Sequence, residues 1–185
     1  MPNKFKIRDN AKSYFITLNT VGWVDIFTKK EQKLLIIKSL NSFQKNRGLE
    51  IFSYCLMSNH LHMICRAKEG FDLSSILKDF KKKTSKAVVN EIKEGMEKRK
   101  AWLLEIFSKS VDHLKRNQKH KVWQGNNHAI LIYSDDFLFQ KIDYIHNDPI
   151  DDMIVSNPTE YLFSSARNYA GMEGLLDVDV LKLLP

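Results

Sequence analysis

Apolar and polar positions divide the chain into short blocks with changing period. Ser13-Tyr14-Phe15-Ile16-Thr17-Leu18-Asn19-Thr20 is rich in strand formers and closes on a polar pair, which predicts a strand. Thr28, with Glu31 three residues on, has the form of a capping box. Leu34, Ile37, Leu40 and Phe43 then follow at three-residue spacing to about Asn46, and Gly48 ends that helix. Leu49 to Met57 and Leu61 to Ala67 read as two more strands, with Ser58-Asn59 as the polar link of a hairpin. Asp72 or Ser74 opens a second long helix. Its apolar stripe is Leu73, Ile76, Leu77 and Phe80, and Lys78, Lys81, Lys82 and Lys86 fall mostly off it.

Between Gly95 and Lys121 the pattern weakens. Trp102, Leu103, Ile106 and Phe107 have helical spacing between densely basic ends, as expected of a hairpin arm or a mobile insertion. Trp123 to Asn127 predicts a turn and Ala129 to Tyr133 a fourth strand. Ser134 caps a helix whose first turn carries Asp135 and Asp136, and Pro149 is expected to end it. Asn157-Pro158 and Tyr161 to Ala166 read as a loop and a short helix on the core. The order strand, helix, strand, strand, helix, strand, helix predicts an α+β fold, a ferredoxin-like antiparallel sheet with helices packed on it.

Composition adds bounds. With 185 residues, 43% of them hydrophobic, one domain over residues 1–185 is expected. No apolar run reaches the length of a membrane span, and the first residues lack the apolar core of a signal peptide. A cytoplasmic location without membrane contact is therefore expected. Cys55 and Cys65 sit in strand-like runs and read as buried free thiols. The net charge of +7 is unevenly placed: residues 78–121 hold 14 Lys/Arg against 6 Asp/Glu, whereas residues 135–185 hold 3 against 10. A basic helical middle and an acidic tail from about residue 150 point to a polyanion, nucleic acid first, with a solvated helix face as the plain alternative.

Two stretches carry chemistry. In Asn59-His60-Leu61-His62-Met63, a strand would put both histidines on one face, about 7 Å apart. They could share a metal ion given a third ligand, or simply be half-exposed side chains at a strand edge. On the last strong helix, Leu138, Ile142 and Ile145 should face the core, while Lys141, Tyr144 and Asp148 form a second stripe. A phenol and a carboxylate there could serve metal-assisted phosphoryl transfer, or be a core-margin tyrosine and a capping aspartate.

Met57-Ser58-Asn59-His60-Leu61-His62 resembles the Met-Pro-Asn-His-x-His signature of the HUH single-tyrosine transposases of insertion sequences. Tyr144-Ile145-His146-Asn147-Asp148-Pro149 is similar to the Tyr-Ile-His-Asn-Asn-Pro box of their REP-associated branch, and Trp123-Gln124 and Tyr161 to Ala166 resemble that branch in kind and order. The similarity spans about residues 12–170. It implies a metal-dependent enzyme that nicks and joins single-stranded or hairpin DNA. His60, His62 and Asp148 would bind Mg²⁺ or Mn²⁺, and Tyr144 would form a 5′-phosphotyrosine. Lys78, Lys81, Lys82, Lys83, Lys86, Lys115, Arg116 and Lys119 are expected to track the DNA backbone. Monomer and homodimer both fit. Here Ser58 replaces the usual proline, Asp148 the usual amide, and Asp151-Asp152 stand where relatives tend to carry a basic residue and small ones. The competing readings are a domesticated, non-catalytic nucleic-acid-binding protein and a metal-dependent hydrolase that uses water.

Overall fold

In the computed structural model, residues 6–111 and 119–181 are described. The elements are β1 (Tyr14–Asn19), α1 (Lys30–Asn46), β2 (Leu49–Leu56), β3 (His60–Ala67), α2 (Leu73–Glu94), α3 (Lys100–Lys109), β4 (Ile130–Leu131), α4 (Asp135–Asp151) and α5 (Ala166–Tyr169), with 3₁₀ turns at Val21–Trp23 and Pro158–Glu160. The four strands form one sheet in the order β2-β3-β1-β4, and every neighbouring pair is antiparallel. With β3 inserted between β1 and β2, this is the split βαβ arrangement expected from the element order.

The sheet separates two apolar layers. Tyr14, Ile16 and Leu18 of β1 and Leu61, Met63 and Cys65 of β3 face the larger one, where α1 and α2 contribute Ile36, Leu40, Leu77 and Phe80. Phe15 and Ile64 face the smaller one, closed by Ile142 and Ile145 of α4. Strand alternation alone thus sends His60 and His62 to the α4 side. Both cysteines are buried free thiols. No helix among the described residues is long and apolar enough to cross a membrane.

Several starts and stops hold. The Asp72 carboxylate accepts from Ser75 N–H at 2.7 Å, and Ser134 Oγ from Phe137 N–H at 3.2 Å. Gly48 follows α1 at φ +67°, with Phe71 packed where a Cβ would stand, so both backbone and space demand glycine.

Others move. Helix α1 is capped at Lys29, whose N–H donates to Gln32 Oε1 at 3.1 Å, and not by a Thr28–Glu31 box. Gln32 takes that role because its buried amide is also fixed by Glu91 at 3.3 Å. Pro149 does not end α4, which runs on to Asp151. So near the end, the missing N–H costs a single intrahelical bond, and Asp152 N–H closes the last turn on Asp148 O at 3.1 Å.

The fourth strand shrinks to two ladder residues, although the chain before and after it still follows the β1 edge: Gln124 N–H donates to Asn19 O, Asn127 O accepts from Thr17, and Ile132 N–H donates to Ser13 O. Tyr161 to Ser165 is extended rather than the expected short helix, which begins only at Ala166. Leu56 N–H donates to Phe163 O and Ser165 N–H to Tyr54 O, so the tail satisfies the free edge of β2. The Trp102–Phe107 segment is a packed helix, with Leu103 and Phe107 buried in the larger core.

Candidate active site

The β1–β3 register sets Thr17 opposite His62 and Asn19 opposite His60. Thr17 Oγ1 lies 2.9 Å from His62 Nδ1, and Asn59 Oδ1 lies 2.7 Å from His60 Nδ1. Each ring is therefore held by Nδ1, and its Nε2 is left to face α4. There Asp148 waits, kept on the Tyr144 stripe by the helix that continues through Pro149. Its Oδ2 is 2.9 Å from His60 Nε2 and 3.8 Å from His62 Nε2. The three candidate donor atoms lie within 4.8 Å of one another.

This arrangement asks for a cation. If His60 donates from Nδ1 to Asn59 Oδ1, its Nε2 presents a lone pair to a carboxylate oxygen, and only a proton or a metal ion makes that contact attractive. His62 is kept neutral, its pKa lowered to about 3 by burial first and by His60 second, with Asp148 opposing. Asn19 Oδ1 is buried without a hydrogen-bond partner on the same sheet face, beside His60. Two imidazoles, a carboxylate and a nearby orphaned amide oxygen fit a divalent cation; the donor set does not single out one metal. The other polar residues near this end are engaged elsewhere. Gln124 donates to Thr20 O at 3.0 Å, and His146 points to Ser53 and Ser165 at 3.2 and 2.9 Å.

Tyr144 is 46% exposed at the rim of this cluster. Its ring meets His62 edge-on at 5.3 Å and Phe15 at 6.0 Å. The Lys141 ammonium sits 5.3 Å from the ring centroid. Partial burial is the main reason the phenol pKa is raised, followed by Asp148, Asp151 and Asp152. The supporting roles of Thr17, Asn19 and Asn59 are new to the structure. Asn59 adjoins the histidine motif, but Thr17 and Asn19 could be found only by pairing β1 with β3 in the correct register.

Lys78, Lys82, Lys83 and Lys86 are exposed on α2. With Lys93, Lys119 and Lys121 they line an open groove of about 1420 Å³ on the opposite side of the sheet from Tyr144. The single carboxylate among the described lining residues, Asp79, is paired with Arg47. Trp123 lies buried against the groove, its Nε1 donating to Thr84 Oγ1 at 2.8 Å. Lys81 is placed differently. It donates to Gln124 O, Gly125 O and Asn127 Oδ1 at 3.2, 3.1 and 2.6 Å, and burial lowers its pKa to about 8. Lys115 and Arg116 lie outside the described residues.

Comparisons with known proteins bear on the family and the fold. A family model described as IS200-like transposase matches residues 14–122, which include both histidines. A solved structure of a REP-associated tyrosine transposase bound to a REP hairpin shares the fold, with a TM-score of 0.66 at 19% identity over 99% of this chain and 95% of that one. A search of curated proteins finds no match.

Proposed function

The chain belongs to the IS200-like transposase family, and we propose that it is a single-stranded DNA endonuclease and strand transferase acting through a 5′-phosphotyrosine. The observation that carries this reading is the meeting of Asp148 with both histidines, one helical turn from a rim-exposed tyrosine. His60, His62 and Asp148 would hold Mg²⁺ or Mn²⁺, oriented by Thr17 and Asn59. Bound there, the ion supplies Lewis-acid charge for the phosphate and offsets Asp148.

Tyr144 Oη forms a bond to the scissile phosphorus and gives up its proton to solvent. The bond from phosphorus to the 3′ oxygen breaks, and that oxygen takes a proton from solvent and leaves as a hydroxyl. Lys141 favours the phenolate through its nearby charge. In the reverse step a 3′-hydroxyl attacks the phosphotyrosine, so joining needs no nucleotide cofactor. The exposed lysines of the α2 groove bind the DNA backbone, and hairpin DNA is the expected substrate form. Lys81 instead holds the loop that borders the groove.

The test is a labelled library of DNA hairpins with single-stranded arms, incubated with the protein and Mn²⁺. A denaturant-resistant protein–DNA adduct is expected, absent in Tyr144→Phe. Cut strands without any adduct would transfer the attack to water and overturn the nucleophile assignment.

A further inference from the structure

Upstream of Tyr144, α4 and the residue that leads into it carry rings that the reaction does not use. Phe137, Lys141 and Tyr144 follow at spacings of four and three on one helical stripe, and Tyr133, just before the N-cap Ser134, joins its end by a ring contact rather than by helical spacing. Their contacts are continuous. Tyr133 stacks on Phe137 with centroids 4.6 Å and planes 16° apart. Lys141 Nζ lies over the rings of Phe15, Phe137 and Tyr144 at 5.2, 5.3 and 5.3 Å. A column of π faces and one cation thus runs from the nucleophile to the start of the helix.

The outer end of the column is open. Tyr133 is 72% exposed. With one ring face on Phe137, exposure this high leaves the other face to water. A hydrophobic staple would explain a ring at this position, but a staple joins the residue before the N-cap to the fourth helical residue, here Leu138, whereas Tyr133 stacks on the third. Asp135 and Asp136, in the first helical turn two and three residues on, disfavour a phosphate. The contact therefore suits the uncharged face of a base, and every base has one.

We infer that the outer face of Tyr133 stacks an unpaired base of the strand whose scissile phosphate lies at Tyr144, with Phe137 beneath it and Lys141 between the two positions. Phe137 lies about 10 Å along the helix axis from Tyr144, so that base is a few nucleotides from the cut. The inference rests on the proposed DNA chemistry and adds a docking point for the single-stranded arm.

The probe is a hairpin with single-stranded arms, selected from a randomised pool on the unaltered protein, with one 2-aminopurine walked through the arms. Binding is read in EDTA, so that no cleavage intervenes. Fluorescence quenching is expected at one arm position. Tyr133→Leu keeps an apolar contact to Phe137, and circular dichroism should show unchanged helix content. That variant should lose the quenching and bind about tenfold more weakly, and Tyr133→Trp should restore both. With an abasic residue at that position, the unaltered protein and Tyr133→Leu should bind alike. Quenching and affinity unchanged in Tyr133→Leu would overturn this inference alone, as would an equal loss on the abasic strand. If the pool yields no binder at all, the parent reading falls with it.

Discussion

His60 and His62 are fixed through their Nδ1 atoms, and that decides what their Nε2 atoms can do. Thr17 Oγ1 and Asn59 Oδ1 set the ring orientations, and the two Nε2 atoms turn toward Asp148. Removing such an orienting partner typically costs a metal site tenfold to a hundredfold in affinity. Thr17→Val keeps the shape of the side chain and removes the hydroxyl, so calorimetric titration with Mn²⁺ should show a loss of about that size. Unchanged affinity would mean that Thr17 does not orient His62. Replacing His60 and His62 together by alanine should abolish both Mn²⁺ binding and the covalent adduct while hairpin affinity persists; full cleavage by the double variant would reject the ligand assignment. The two shared faces are legible in the sequence, His60 with His62 at two residues on a strand and Tyr144 with Asp148 at four on a helix, while Asp148 as a proposed ligand comes from the resemblance to the tyrosine box. Thr17 and Asn19 are not, because their part depends on a strand register that sequence spacing does not encode.

Helix α4 carries Tyr144 and Asp148, and its sequence describes it well except at its end. Ser134 and the two aspartates mark its start, but Pro149 is a weak stop when it falls in the last turn. Because the helix holds through Pro149 to Asp151, Asp148 stays on the Tyr144 stripe, where the resemblance to the tyrosine box places it and where a helix broken before the proline would not. The tail is harder to read. Tyr161 to Ser165 has no strong period, and its extended path follows from the unpaired edge of β2, which is a tertiary demand. Ser165 joins the two elements: its Oγ accepts from Tyr54 N–H at 2.9 Å and sits 2.9 Å from His146 Nε2 on α4. Ser165→Ala leaves both groups buried and short of a partner, a cost of about 1–3 kcal/mol. Urea unfolding should show that loss as a lower midpoint with an unchanged slope. A midpoint equal to that of the unaltered protein would show that the His146–Ser53 contact alone pins α4 to the sheet.

At the scale of the whole molecule, the sheet stands between two kinds of surface. The lysine groove lies on the α2 side and the histidine–aspartate cluster on the α4 side, with residues 122–132 following the β1 edge from one to the other. The charge count along the chain announces the groove, but not that it opens away from Tyr144; that follows from α2 and α4 packing on opposite sheet faces. Grip on the DNA and chemistry at the phosphate should therefore separate. Replacing Lys78, Lys82, Lys83 and Lys86 by glutamine removes exposed charge without burying anything new. Hairpin affinity should fall, and the slope of log affinity against log salt should shrink by about 0.9 for each duplex phosphate that the variant no longer neutralises, or about 0.7 on single strand. Mn²⁺ affinity should stay unchanged in the same variant, since none of the four lysines approaches the cluster. Tyr144→Phe should behave in the opposite way, with salt slope and hairpin affinity intact and the adduct gone. A quadruple variant that retained both affinity and slope would move the DNA off the groove and onto the α4 face, where Lys141 and the Tyr133–Phe137 stack already lie.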